Sequence, residues 1–390
     1  MQLNKTSKLP DVAEIQNRKN KIIAQMHSQG FDAMVIFDPD NVYWLTNFAN
    51  FVHERPFILI MNIHGDLDFV VPEIEALHVN RRKIGEITLC CYKEFPSPSG
   101  TDWVSVFNQI TAAYNQIGFE ENCPYFIVEQ IITRAKVTPI VEEARFIKSQ
   151  YEIARINYSS ELAVKSFTLL MNNARPGWSA SESNKMITDA FMQEIFLNEP
   201  SSNFLATRVG VVVQSPNVSF DPHNYTNFPD MDMVEGGPHI AIINSVVNGY
   251  GTEVERTFFL GDVPDACIKP YQAMMEAREI AFNMCRPGIS MHDLDQAVFD
   301  CFTRHGYADN FIHRTGHSIG VTGHEGPFLA MGYHRENQPN MIFTIEPGIY
   351  IPGIGGFRHS DTVVVTEDGN VNLTEYPDSL EAMTLSLGQG

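Results

Sequence analysis

The stretch that decides the fold runs from Asn248 to Asp361. It holds Asn248-Gly-Tyr-Gly-Thr-Glu253-Val-Glu255-Arg-Thr-Phe258, then Thr315-Gly-His317-Ser-Ile-Gly320 with His324-Glu-Gly-Pro327, then Phe343-Thr-Ile-Glu346-Pro-Gly348, and last Gly355-Gly-Phe-Arg-His359-Ser360-Asp361. In the first segment strand alternation points Glu253 and Glu255 to one face. The second sets two histidines beside glycines. In the third an apolar strand ends in an acid just before a Pro-Gly break, which puts a carboxylate at a strand terminus. Upstream, Ser219-Phe-Asp-Pro-His223-Asn224 is a turn-rich loop carrying a further histidine. Each has a bland reading by itself: a glutamate pair is usually a solvated strand face, and a loop histidine often caps a turn. In this order they predict one hydrolytic pocket lined by His223, Glu255, His317, His324 and Glu346.

Outward from this stretch, the chain carries an internal echo. Arg175-Pro-Gly-Trp-Ser179 recurs as Arg286-Pro-Gly-Ile-Ser290. In both copies a helical stretch precedes the break, and a capping box opens the next helix, Ser179 with Glu182 and Ser290 with Asp293. Two such units predict a duplicated α+β domain with pseudo-twofold symmetry and a site between its halves. The first 145 or so residues alternate differently. A helical pattern from Val12 to Ser28 leads into the apolar runs Ala33–Phe37, Pro56–Met61 and Leu67–Val71, bounded by turn residues as buried strands are, so this part reads as an α/β domain with a mixed sheet. The boundary is placed near Lys148, giving domains 1–147 and 148–390.

Composition narrows the function classes. At 390 residues two domains are the prior expectation, and 44% hydrophobic with 19% charged residues is ordinary for a globular protein. A formal charge of −20 argues against a nucleic-acid or anionic-membrane partner, which would need a basic face. Neither a signal-peptide pattern nor an 18-residue apolar run is present, so no membrane association is expected. The six cysteines show no C-x-x-C spacing and read as reduced thiols, which predicts a cytoplasmic protein.

Taken together, Gly-Tyr…Glu-Arg-Thr-Phe, Thr-Gly-His-Ser-Ile-Gly…His-Glu-x-Pro, Ile-Glu-Pro-Gly-Ile-Tyr and Gly-Phe-Arg…Asp-Thr-Val-Val-Val-Thr-Glu-Asp-Gly resemble the pita-bread superfamily of creatinase, prolidase and aminopeptidase P. The resemblance extends to Asn41-Val-Tyr-Trp-Leu-Thr-Asn47 in the N-terminal part, with Lys148 and Glu152 in the linker helix. It implies an α+β fold, a C-terminal pita-bread domain preceded by a creatinase-type N-terminal domain, and a homodimer acting on a small-molecule substrate.

The metallopeptidases of the superfamily hold two divalent ions with two Asp, one His and two Glu. Carried over, the histidine is His317 and one glutamate is Glu346. Glu253 stands for one aspartate, the other falls on Ile242-Ile-Asn244-Ser245, and the last glutamate falls on Ser360. A two-ion centre is therefore not expected, and the first reading holds no metal. The alternative is one divalent ion, such as Mn, Fe or Zn, on Glu253, His317 and Glu346. The departures resemble creatinase, which implies His223 as general acid/base, Glu255 and Glu346 as substrate-clamping carboxylates, His317 and His324 as substrate-binding groups, and Arg55 as an arginine reaching into the partner subunit's site. The leading expectation is thus a creatinase-like hydrolase of a C–N bond in a small N-substituted or guanidino compound. A metal-dependent Xaa-Pro peptidase is second, and a lyase or a non-catalytic binding protein follows.

Overall fold

The computed structural model describes residues 9–51, 53–94, 97–224 and 228–387, the side chains of 228 and 229 excepted. The chain divides between Arg145 and Phe146 into two compact units.

In the N-terminal unit the helix Val12–Gln29 is capped by Asp11, whose side chain accepts from Glu14 N, and ends at Gly30 in the left-handed region. A six-stranded sheet follows, in the spatial order Thr88–Tyr92, Leu67–Pro72, Ile58–Asn62, Ala33–Ile36, Ile117–Phe119, Ala135–Val137. Ala33–Ile36 pairs antiparallel with Ile58–Asn62 and parallel with Ile117–Phe119, so the sheet is mixed. All four residues of that central strand are buried, which is why it reads as a continuous apolar run.

The C-terminal unit repeats a helix pair and then strands. Gln150–Asn173 and Ala180–Asn198 precede the strands Arg208–Gln214, Gly236–Val247 and Tyr250–Leu260; Asp265–Met284 and Met291–Arg304 precede the strands from Gly316 onward. Its nine-stranded sheet runs Glu325–Leu329, Gly316–Ser318, Ile342–Ile345, Ser360–Val365, Tyr250–Leu260, Gly236–Val247, Arg208–Gln214, with Asn370–Asn372 and Thr384–Leu385 as side branches. The sequence echo is a structural one: Gly177 and Gly288 both adopt φ 79°, the conformation that favours glycine. The two caps differ, however. Ser179 and Glu182 close a full capping box, whereas Ser290 only accepts from Asp293 N.

The strand Tyr250–Leu260 lies mid-sheet and all eleven of its residues are buried. Val254, Phe258 and Leu260 join the main core with Phe167, Leu170, Tyr271 and Met274 from the long helices. The same strand buries Glu253, Glu255 and Arg256. Buried charges need partners, and those partners define the site.

Candidate active site

Alternation along Tyr250–Leu260 puts Glu253 and Glu255 on one face, and neighbouring strands complete the surroundings. Ser360 lies opposite Glu255 in the register, and Asn244 opposite Glu253. Ser360 Oγ donates to Glu253 Oε1 at 2.7 Å. Glu346 follows the strand Ile342–Ile345, its backbone N–H held by Thr315 O at 2.8 Å. Thr344 Oγ1 ties the two loops together, accepting from His317 N (3.1 Å) and donating to Glu346 Oε1 (3.2 Å). Ligand atoms of Glu253, Glu255 and Glu346 lie within 4.8 Å of one another, as do those of Glu253, His317 and His324.

His317 is buried, and its Nδ1 lies 2.9 Å from Ser318 O. That contact places a proton on Nδ1, so Nε2 faces the acids, as a lone pair in the neutral ring and as an N–H in the charged one. Nε2 sits 3.2 Å from Glu346 Oε1 yet makes no hydrogen bond. The His317 ring stacks on His324 with centroids 3.8 Å apart. Burial by itself would lower the His317 pKa, but Glu346 and then Glu253 outweigh it and raise it. Burial also pushes the Glu346 carboxyl up, and His317, His313 and Arg358 together pull it down to about 2. Glu253 is raised, by burial first and by the Glu346 charge second. The pocket is thus an excess of anionic oxygen that draws positive charge.

One of the acids is already compensated. Arg358 grips Glu255 with two nitrogens, Nη2 to Oε1 at 2.9 Å and Nε to Oε2. Arg358 Nη1 donates to Tyr350 OH (2.8 Å), and Tyr350 OH in turn lies 2.7 Å from His313 Nε2. With His313 Nδ1 on Arg314 O, Tyr350 must be the donor to Nε2. Burial lowers the His313 pKa, with the Glu346 charge opposing it.

The sequence-predicted residues fall as follows. Glu253, Glu255, His317, His324 and Glu346 come together. His223 is exposed, close enough for its charge to act on His313 and His324. His324 is at the solvent edge, its pKa lowered by burial of the ring and then by His317. Arg55 belongs to the N-terminal unit, where its Nε meets Glu94 Oε1 at 2.9 Å. Sequence reasoning missed His313 and Tyr350 as site residues. Tyr350 stood in the Ile-Glu-Pro-Gly-Ile-Tyr motif, and His313 lies four residues before His317 with no glycine beside it.

Two family models cover the chain: Metallopeptidase family M24 matches residues 154–367, and the Creatinase/Prolidase N-terminal domain matches residues 18–147. The chain is 26% identical over 369 residues to a Xaa-Pro dipeptidase of Pyrococcus horikoshii, covering 93% of this chain and 98% of the relative. Among solved structures, the prolidase from Pyrococcus horikoshii superposes with a TM-score of 0.77 at 22% identity, covering 93% of this chain and 99% of that one. A prolidase from Thermococcus sibiricus gives 0.81 at 24% identity, covering 96% and 99%. At these identities the two structures speak for the fold.

These findings correct the expectation that the site holds no metal. The matching family is one of metallopeptidases, and the chain's own residues fit an ion: the unpartnered buried Nε2 of His317 faces Glu253 and Glu346. The fit fails only for a two-ion set, since Asn244, Ser245 and Ser360 supply no carboxylate. The ranking of reactions shifts with it, from the creatinase-like hydrolase toward the Xaa-Pro peptidase. No described helix is long and apolar enough to cross a membrane. With more than half of its length matched, the chain belongs to metallopeptidase family M24, and it is a hydrolase of C–N bonds on the pita-bread fold.

Proposed function

We propose that the chain is a divalent-metal-dependent peptidase that cleaves Xaa-Pro dipeptides. The observation that carries this reading is His317 Nε2, buried, oriented by Ser318 O, unpartnered, and set between the carboxylates of Glu253 and Glu346. A nitrogen lone pair held among anionic oxygens is a ligand arrangement, and the hydrogen bond from the other ring nitrogen is what orients such ligands. Glu253, His317 and Glu346 would hold the ion, and His324 lies close enough to Glu253 and His317 to be a further ligand. When bound, the ion supplies Lewis-acid polarisation of the scissile carbonyl and lowers the pKa of water.

The remaining residues do work of their own. In an Xaa-Pro bond the leaving nitrogen carries no hydrogen, so a proton must reach it as the C–N bond breaks. His223, exposed and within electrostatic reach of His313 and His324, would deliver that proton. Glu346, charged even at low pH, anchors His317. Glu255, both of whose oxygens are taken by Arg358, acts through that arginine, holding a fixed positive charge and, through Tyr350, His313. A homodimer, in which Arg55 of the partner subunit meets the dipeptide carboxylate, and a cytoplasmic location belong to the same proposal.

The test is chelation followed by re-addition. Protein stripped with a chelator is expected to lose Ala-Pro hydrolysis and regain it with Mn²⁺. Full activity in the stripped protein, or no cleavage of any Xaa-Pro dipeptide with Mn²⁺, Fe²⁺ or Zn²⁺, would overturn the reading.

A further inference from the structure

A second buried charge cluster sits behind the two histidines. Lys148 precedes the helix Gln150–Asn173, its backbone N–H on Asn340 O (3.0 Å), and the next residue, Ser149, closes a capping box with Glu152. The backbone is therefore fixed on both sides. Its side chain is 2% exposed, and Nζ donates to Ser318 Oγ (2.7 Å) and Glu325 Oε1 (2.8 Å). Glu325 Oε2 accepts from Thr322 N at 3.3 Å.

These partners are the immediate neighbours of the site histidines. Ser318 follows His317 and Glu325 follows His324, and the two pair across the hairpin where a bulge interrupts the register between His317 and Ser318. The loop between them closes tightly over the ion pair: a Cβ on Gly320 would lie 2.6 Å from Glu325 Oε1 and 3.3 Å from Lys148 Cε. A buried Lys–Glu pair contributes little net stability compared with an apolar pair of the same size, because desolvating both charges offsets their attraction. Its use here is geometric.

We propose that Lys148 is a positioning residue of the active site: by holding Ser318 and Glu325 together it sets the mutual placement of the His317 and His324 rings. The proposal builds on the metal-dependent reading above, but it concerns ring geometry and can fail separately. Lys148→Met alone would leave Glu325 buried without the lysine's charge, so the informative variant is Lys148→Met with Glu325→Met. It is expected to melt within a few degrees of wild type. Mn²⁺ affinity by equilibrium dialysis should fall about ten-fold, the effect of losing an outer partner of a ligand, with kcat on Ala-Pro falling more than KM rises. In the metal-free protein, histidine ring ¹⁵N spectra should show His317 losing its fixed Nδ1–H form. Gly320→Ala, whose methyl pushes Glu325 Oε1 aside, should give the same spectral change and decides the matter should the double variant fail to fold. Ring spectra and Mn²⁺ affinity unchanged in a folded variant would overturn the proposal. Wild type that takes up no Mn²⁺ would sink the peptidase reading instead, and the ring spectra would still decide this one.

Discussion

Both units of the chain bury carboxylates, and Glu120 in the first and the three site glutamates in the second settle the charge in opposite ways. In the N-terminal unit Glu120, 5% exposed, is surrounded by donors. Its Oε2 accepts from Phe37 N (2.7 Å) and Asp38 N (2.9 Å), and its Oε1 from Asn41 Nδ2 (2.6 Å). Asn41 is itself held by Arg145 Nη1 through Oδ1 at 2.5 Å. Both Glu120 oxygens have donors, as buried polar groups in a structural role do. In the C-terminal unit Glu253, Glu255 and Glu346 crowd together; among the described residues Arg358 grips Glu255 with two nitrogens, while Glu346 has the His317 ring at 3.2 Å. His317 Nε2 has no hydrogen bond at all. Burying an acid is therefore no mark of function; burying more negative charge than the protein itself neutralises is.

The largest effect that can break this contrast is on His317. His317→Ala removes the unpartnered nitrogen and should lower kcat/KM on Ala-Pro about a thousand-fold, roughly 4 kcal/mol, together with Mn²⁺ uptake. Metal content and rate at saturating Mn²⁺ measure both. Retention of both would mean that the excess acid serves something other than an ion.

Next is the one pair that the C-terminal cluster does neutralise. Arg358→Met leaves Glu255 buried beside two other acids and should destabilise the chain by about 3 kcal/mol in urea unfolding. Adding Glu255→Gln should recover much of that loss, since the uncompensated charge goes with it. Equal stability of Arg358→Met and wild type would show that Glu255 carries no charge needing compensation, and the contrast with Glu120 would lose its electrostatic basis.

The fold was legible because its marks are local. Ala33–Ile36 is apolar throughout because both faces of a central strand are covered, and the echoed Pro-Gly breaks end in glycines with the same φ because each turn needs the same backbone. Glu253 and Glu255 followed from alternation, and Glu346 from its place at a strand end. What could not be read was which charge cancels which. Arg358 meets Glu255 through the pairing of Ser360–Val365 with Tyr250–Leu260, and nothing local sets that register. His313 enters the site through Tyr350, and Lys148 lies behind the histidines through a hairpin far along the chain. The balance of charges is a tertiary property: the metal-free pocket was predicted from the carboxylates missing at Asn244, Ser245 and Ser360, and the sequence could not show that His317 Nε2 is buried among the acids that remain.

The smallest effect sharpens the contrast from the other side. Burial pushes the Glu120 carboxyl up to about 7, against the pull of the Asp38 and Phe37 backbone N–H groups. The folded chain then binds a proton that the unfolded chain, with an ordinary value near 4.5, releases earlier. Between those two values the folded state holds more protons, so stability falls as pH rises through the window, on the order of 1–2 kcal/mol once the three donors are allowed for. Glu120→Gln abolishes this slope. It also has one oxygen where two are needed: with Asn41 fixed by Arg145, its amide nitrogen must face a donor, at a cost of about 1–2 kcal/mol. The variant should thus be weaker than wild type at pH 5 and approach it by pH 7.5, with activity at saturating Mn²⁺ unchanged. Urea unfolding followed by tryptophan fluorescence suits the test, because Trp44 and Trp103, two of the chain's three tryptophans, lie in the N-terminal unit. A pH-independent gap between the two proteins would show that the donors around Glu120 keep it ionised throughout, and that this acid is held by hydrogen bonds rather than by a proton.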